Sequence, residues 1–160
     1  MNICLIVDDY LPHSTKVAAK MMHELSIKLQ ELGHKVVVIT PSSDAKERLK
    51  TIKIDGVEVW RFKSGRIKNV NYFRRFFNEF SLSRKGINAI KEKLIDRSFD
   101  GVIYYSPSIF LYGLANYLKY KFKCKSYLVL RDIFPQWAVD ANIIKKHGII
   151  HRVLQYFEKQ

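Results

Sequence analysis

The chain has 160 residues, 48% hydrophobic and 27% charged, the size and balance of one globular domain. Its longest apolar runs, such as residues 36–39 and 127–130, are far too short to span a bilayer, and two cysteines cannot staple a disulfide scaffold. Lys and Arg number 28 against 15 Asp and Glu, a formal charge of +13, which points to an anionic partner or, failing that, to a merely solubilising surface.

Ile3-Cys4-Leu5-Ile6-Val7, closed by Asp8 and Asp9, reads as a strand buried on both faces. A loop follows, and Ser14 or Thr15 is placed to cap a helix, a side-chain oxygen meeting an orphan backbone N–H. Ala18, Met21, Met22, Leu25, Leu29 and Leu32 fall on one helical stripe, and Gly33 ends the helix by taking the left-handed conformation. Residues 35–40 are a second buried strand, so the opening is a strand–helix–strand unit with a parallel crossover. Asp55-Gly56 predicts a tight turn joining residues 51–54 to a third strand at 57–62. A long helical region is expected over 70–96, with a weak point near Gly86. Residues 101–105 form a fourth strand, Ser108 is placed to cap a helix over 109–121, and 125–130 form a fifth strand. Ile149, Ile150, Val153, Leu154 and Phe157 give the last segment an amphipathic, helical pattern. The alternation predicts an α/β fold: a Rossmann-like, doubly wound, mostly parallel sheet in the order 3-2-1-4-5.

Ligands of such sheets bind beyond the carboxyl ends of the strands. The first loop there holds Tyr10, His13, Ser14, Thr15 and Lys16, where hydroxyls, a lysine and a helix N-terminus suit a phosphate or other anion, or where plain helix capping suffices. Neither GxGxxG nor a Walker sequence occurs. Ser106 after the fourth strand is a second candidate, or the start of a capped helix. Arg131 and Asp132 follow the fifth strand, whose apolarity argues against a surface edge; a carboxylate there can take a proton or a sugar hydroxyl, or cap a turn. His23, near the apolar stripe, reads as a satisfied, semi-buried histidine. No Ser/His/Asp triad, HExxH, CxxC or metal-ligand cluster is visible, and Cys4 and Cys124 read as reduced thiols of a cytosolic protein without a signal peptide.

The charge is uneven. Residues 1–40 hold four basic and four acidic side chains, residues 41–99 fifteen and seven, and residues 100–160 nine and four. Residues 60–85 hold eight cations and one acid, Glu79. There Phe73, Phe76, Phe77 and Phe80 share a helical face beside Arg74 and Arg75, with Arg84 and Lys85 beyond. This reads as an interfacial helix touching anionic lipid, or as core aromatics with solvated arginines opposite.

Residues 3–12, the helix with His23-Glu24-Leu25, Gly33-His34-Lys35-Val36-Val37-Val38-Ile39-Thr40, Asp55-Gly56-Val57 leading to Arg61, and Leu130-Arg131-Asp132-Ile133-Phe134-Pro135 together resemble the N-terminal half of family-four glycosyltransferases, enzymes of GT-B fold. Residues 14–25 look closer to the WbuB-like branch, O-antigen amino-sugar transferases of the L-fucosamine type. Most of that family has a Gly-Gly pair where Ser14-Thr15 stands, and many relatives carry a histidine where this chain has Arg131-Asp132.

The resemblance implies that residues 1–160 are a single N-terminal, acceptor-side domain, with the donor-binding C-terminal domain absent from this chain. It implies retaining, metal-independent transfer, no cofactor in this domain, and a nucleotide-sugar donor held mainly by the second domain. It makes Asp132 the candidate catalytic residue and Tyr10, His13, Ser14, Thr15, Lys16, Ser106 and Arg131 the candidate acceptor or phosphate contacts. The expected acceptor is an undecaprenyl-diphosphate saccharide at the inner face of the bacterial cytoplasmic membrane. The isolated chain is then inactive. The rival readings are a membrane-recruitment module and a single-strand nucleic-acid binder.

Overall fold

The computed structural model describes residues 1–65, 81–106 and 109–130 and the single positions 139, 148 and 152. Among them the chain runs β1 (Asn2–Ile6), α1 (Val17–Glu31), β2 (Lys35–Ser42), β3 (Leu49–Ile54), β4 (Val57–Lys63), α2 (Leu82–Ile90), a 3-10 turn (Glu92–Leu94), β5 (Gly101–Ser106), a second 3-10 turn (Ile109–Leu111), α3 (Tyr112–Phe122) and β6 (Lys125–Leu130). One six-stranded sheet has the order β3-β4-β2-β1-β5-β6. The five strands expected from the sequence are parallel and in the expected order; β3 adds an antiparallel edge through the Asp55-Gly56 hairpin. Asp55 and Gly56 both take positive φ, 48° and 83°, as a tight hairpin turn requires.

Period-two alternation splits the core between the two faces of the sheet. Ile3, Leu5, Val7, Val36, Val38, Val57 and Val59 pack with Tyr10, Tyr105 and Met22 of α1. Cys4, Ile6, Val37, Ile39, Trp60, Phe62 and Val102 pack on the other face with Leu82, Ile90, Leu114 and Leu118 of α2 and α3. Each large side chain of this set that is fully buried stabilises the fold by about 1.5–3 kcal/mol. The register is therefore fixed, since a slip of one residue would exchange the two faces.

Four expectations are corrected. Helix α1 presents Ala19, Met22, His23 and Ser26 to the sheet, while Met21 and Leu32 of the expected stripe are exposed. Its N-cap is Lys16, without a side-chain hydrogen bond; Ser14 instead accepts from the Lys16 N–H at 3.2 Å, closing a local turn. Gly86 is no break. It lies inside α2, where an added Cβ would meet Leu114 at 3.0 Å and Phe62 at 3.3 Å, so it marks close packing. Among the described residues strand β6 is an edge of the sheet, and Tyr127 and Leu130 are 68% and 59% exposed despite the apolar run.

Other local readings hold. Gly33 has φ 82° and closes α1, its N–H bonding the Gln30 carbonyl and that of His34 the Leu29 carbonyl. The N-terminus of α3 is capped from another helix. Ser83 Oγ accepts from the Leu114 N–H at 3.1 Å and donates to the Phe110 carbonyl at 2.5 Å. The expected Ser108 cap, the helix over 70–80 and the segment containing Ile149 to Phe157 lie outside the described residues.

Candidate functional site

The chain leaves β1 toward β2 on one side and reaches β5 on the other, so the switch point of the sheet lies between β1 and β5. Beyond its carboxyl end sits the β1–α1 loop, the crevice where open α/β sheets take ligands. Lys16 Nζ lies between Asp8 Oδ2 at 3.2 Å and Asp9 Oδ2 at 3.3 Å. Partial burial works to lower the Lys16 ammonium pKa, but the two carboxylates outweigh it and raise it. The Lys16 charge is thereby neutralised within the loop; it orders Asp8 and Asp9 more than it offers itself to an anion. Asp9 Oδ1 also accepts from the Tyr10 N–H at 3.1 Å.

Arg61 enters this crevice from β4. It is 8% exposed, one guanidinium N–H donates to the Leu11 carbonyl, and among the described residues its Nε is buried without a hydrogen-bond partner. Burial lowers its pKa, and the nearby Asp9 carboxylate partly restores it. A buried cation with an unused N–H is costly, and the Leu11 carbonyl offsets only part of that cost. Nearby, burial and the Asp8 charge hold the Tyr104 phenol well above its ordinary pKa, so it stays a hydroxyl.

The sequence candidates separate. His13, Thr15 and Lys16 lie exposed on the loop, whereas Ser14 is buried. Tyr10 is only 2% exposed, and its hydroxyl turns inward to His23 Nδ1 at 2.8 Å. His23 Nε2 reaches Asp55 Oδ2 at 3.0 Å, so this histidine is a satisfied buried one, as its position near the apolar stripe suggests. Ser106 ends β5 opposite Leu130 of β6, beside the crevice; its side chain lies outside the described residues. Arg131 and Asp132 also lie outside them, as do Phe73, Arg74, Arg75, Phe76 and Phe77. Arg84 is exposed and Lys85 half-buried on α2. The first part of the basic, aromatic stretch is core: Trp60 and Phe62 are fully buried, so no membrane contact begins there.

Sequence reasoning missed Arg61 as a site residue, because its alternation places it in a buried strand. The signal was the charge itself, a lone cation at a core position of β4. A groove of about 450 Å³ at the amino end of the sheet, lined among others by His34, Lys35, Lys53, Glu58 and Arg97, is less apt for a ligand. There Glu58 already takes bonds from Arg97 at 3.1 Å and from Trp60 Nε1 at 2.7 Å. Among the described residues no group of three or more His, Cys, Asp or Glu is arranged to hold a metal ion, and no helix is long and apolar enough to cross a membrane.

No family model and no curated protein sequence matches the chain. Solved structures do. The chain is similar to sucrose-phosphate synthase from Thermosynechococcus elongatus, with a TM-score of 0.69 and 13% identity over 99% of this chain and 39% of that one. It is also similar to the catalytic domain of starch synthase IV from Arabidopsis thaliana, solved with ADP and acarbose, with a TM-score of 0.50 and 14% identity over 88% of this chain and 32% of that one. The fold is thus the α/β, Rossmann-like, mostly parallel sheet of these GT-B neighbours, and the chain spans about two fifths of the length of the first.

Proposed function

We propose that the chain is the acceptor-binding half of a glycosyltransferase, which moves a sugar from a nucleotide-sugar to an undecaprenyl-diphosphate saccharide in O-antigen or other surface-polysaccharide assembly. The observation that carries this reading is the pairing of Asp8 and Asp9 with Lys16 near the buried Arg61, on a loop that exposes His13 and Thr15 at the carboxyl end of the switch point. Ordered carboxylates and hydroxyls suit the hydroxyls of a saccharide, and the buried Arg61 guanidinium holds the loop that carries them through the Leu11 carbonyl. The likeness in fold to a sucrose-phosphate synthase supports the class of reaction. In this reading transfer is retaining and metal-independent, a second domain holds the donor, and the amino-sugar branch sets the sugar. Asp132 serves as the candidate catalytic carboxylate, with Arg131 and Ser106 as acceptor or phosphate contacts. Phe73, Arg74, Arg75, Phe76, Phe77, Arg84 and Lys85 meet the anionic inner leaflet.

Flotation of the chain with vesicles tests this. Vesicles bearing an undecaprenyl-diphosphate saccharide should retain the chain more strongly than the same vesicles without it, and more strongly than single-stranded DNA does at equal salt. Equal retention on both vesicles, or preference for the DNA, overturns the reading. Incubated alone with nucleotide-sugar and lipid acceptor, the chain should transfer nothing; robust transfer would contradict the half-enzyme assignment.

A further inference from the structure

A second groove, of about 590 Å³, opens where the carboxyl end of β4 meets α2 and the β2–β3 connection. It is lined by Lys46 and Arg48 of that connection, by Lys63, Ser64 and Gly65 at the end of β4, and by Lys85 and Asn88 of α2. Four of these residues are cationic, and among the described residues no carboxylate lines the groove. Their hydrogen bonds go to carbonyl oxygens: Lys63 Nζ to Lys46 at 3.4 Å, and the Arg48 guanidinium to Asn88. None of the four is in an ion pair among the described residues, whereas Lys16, Lys20, Lys28 and Arg97 all are. Asp44 and Glu47 belong to the same connection but do not line the groove, and Asp44 instead accepts from the Ser43 hydroxyl at 3.1 Å.

Four like charges gathered without a counter-charge among the described residues repel one another, and the fold tolerates this most cheaply when an anion fills the space. Carbonyl bonds hold two of the cations in place and consume no positive charge, so the groove is prepared before a ligand arrives. Its volume takes more than one phosphate-sized group. We infer that this groove is a binding site for a diphosphate or a comparably charged phosphate group. The Lys and Arg N–H groups meet its oxygens, and Ser64 and Asn88 offer further polar contacts. The inference rests on the acceptor reading only for the identity of the ligand, where the groove would seat the diphosphate of a lipid-linked saccharide. The phosphate chemistry itself stands on the cations alone.

The test uses inorganic pyrophosphate and the 160-residue chain in calorimetry at low salt. Saturable binding at one site per chain is expected. Lys46→Gln with Lys85→Gln should weaken it at least tenfold. Lys35→Gln with Lys53→Gln, which removes the same charge at the opposite end of the sheet, should leave it within twofold. Phosphatidic-acid vesicles distinguish the source of the phosphate. Vesicle binding that pyrophosphate displaces assigns the groove to lipid-borne phosphate, and pyrophosphate binding without vesicle binding assigns it to a soluble one. No saturable binding, or equal weakening by both double variants, overturns the site. A chain that binds pyrophosphate here yet ignores the lipid-linked saccharide keeps this site and loses the acceptor reading.

Discussion

The Tyr10–His23–Asp55 chain of hydrogen bonds ties the loop of the candidate site to α1 and to the β3–β4 hairpin, and its strength can be measured. Tyr10→Phe removes one hydroxyl from a residue 2% exposed and leaves His23 Nδ1, on a side chain 10% exposed, without its 2.8 Å partner. The lost bond is worth about 1 kcal/mol net and a stranded buried acceptor costs about 1–3 kcal/mol, so a loss of about 2 kcal/mol is expected. For a domain of this length that lowers Tm by about 4–8 °C. His23→Leu should cost about 1–2 kcal/mol. It leaves the Tyr10 hydroxyl with only Ser26 Oγ at 3.4 Å, while Asp55, whose side chain is 75% exposed, returns to water. In the double variant neither partner is left stranded, so its loss should fall short of the sum by about 1 kcal/mol or more. Urea unfolding followed by far-ultraviolet circular dichroism, with an unchanged slope, measures all three. Losses that add within about 0.5 kcal/mol would refute the coupling.

Three further outcomes follow from packing and chemistry. Gly86→Val should destabilise by about 2 kcal/mol or more, since its Cβ alone would sit 3.0 Å from Leu114 Cδ2; a rise in Tm would contradict the close approach. Ser83→Ala should cost about 1–2 kcal/mol in urea unfolding by uncapping α3, and a change under 0.3 kcal/mol would show that the tertiary cap contributes nothing. Burial and the neighbouring Cys124 push the Cys4 thiol far up. A disulfide reagent at neutral pH should therefore modify only Cys124 in the native chain, slowly because burial raises that thiol too, and Cys4 only on unfolding. Two thiols reacting at equal rates in the native state would contradict this placement.

The strand order was legible because each buried run is short, separately bounded and joined by a crossover of fixed hand. The face of α1 was less so. A polar patch of His23 and Ser26 lies against the sheet, satisfied by Tyr10 and the Met22 carbonyl, and hydrophobic periodicity assigns no weight to paired polar groups. The apolar run of β6 looked buried because periodicity cannot tell a central strand from an edge. The role of Lys16 depended on two aspartates brought back to it across the loop. The cationic groove joins segments from Lys46 to Asn88, and Glu47 between Lys46 and Arg48 hid its sign in the linear sequence.

The central claim is that the carboxyl end of the sheet is the acceptor face. Amide chemical-shift mapping of the chain titrated with a water-soluble, short-prenyl diphosphate saccharide addresses it most directly. Saturable shifts are expected at residues 8–16 and 61–65, with the amino-end residues His34, Lys35, Lys53 and Glu58 unmoved. Shifts confined to that amino end, or none at saturating ligand, would contradict it.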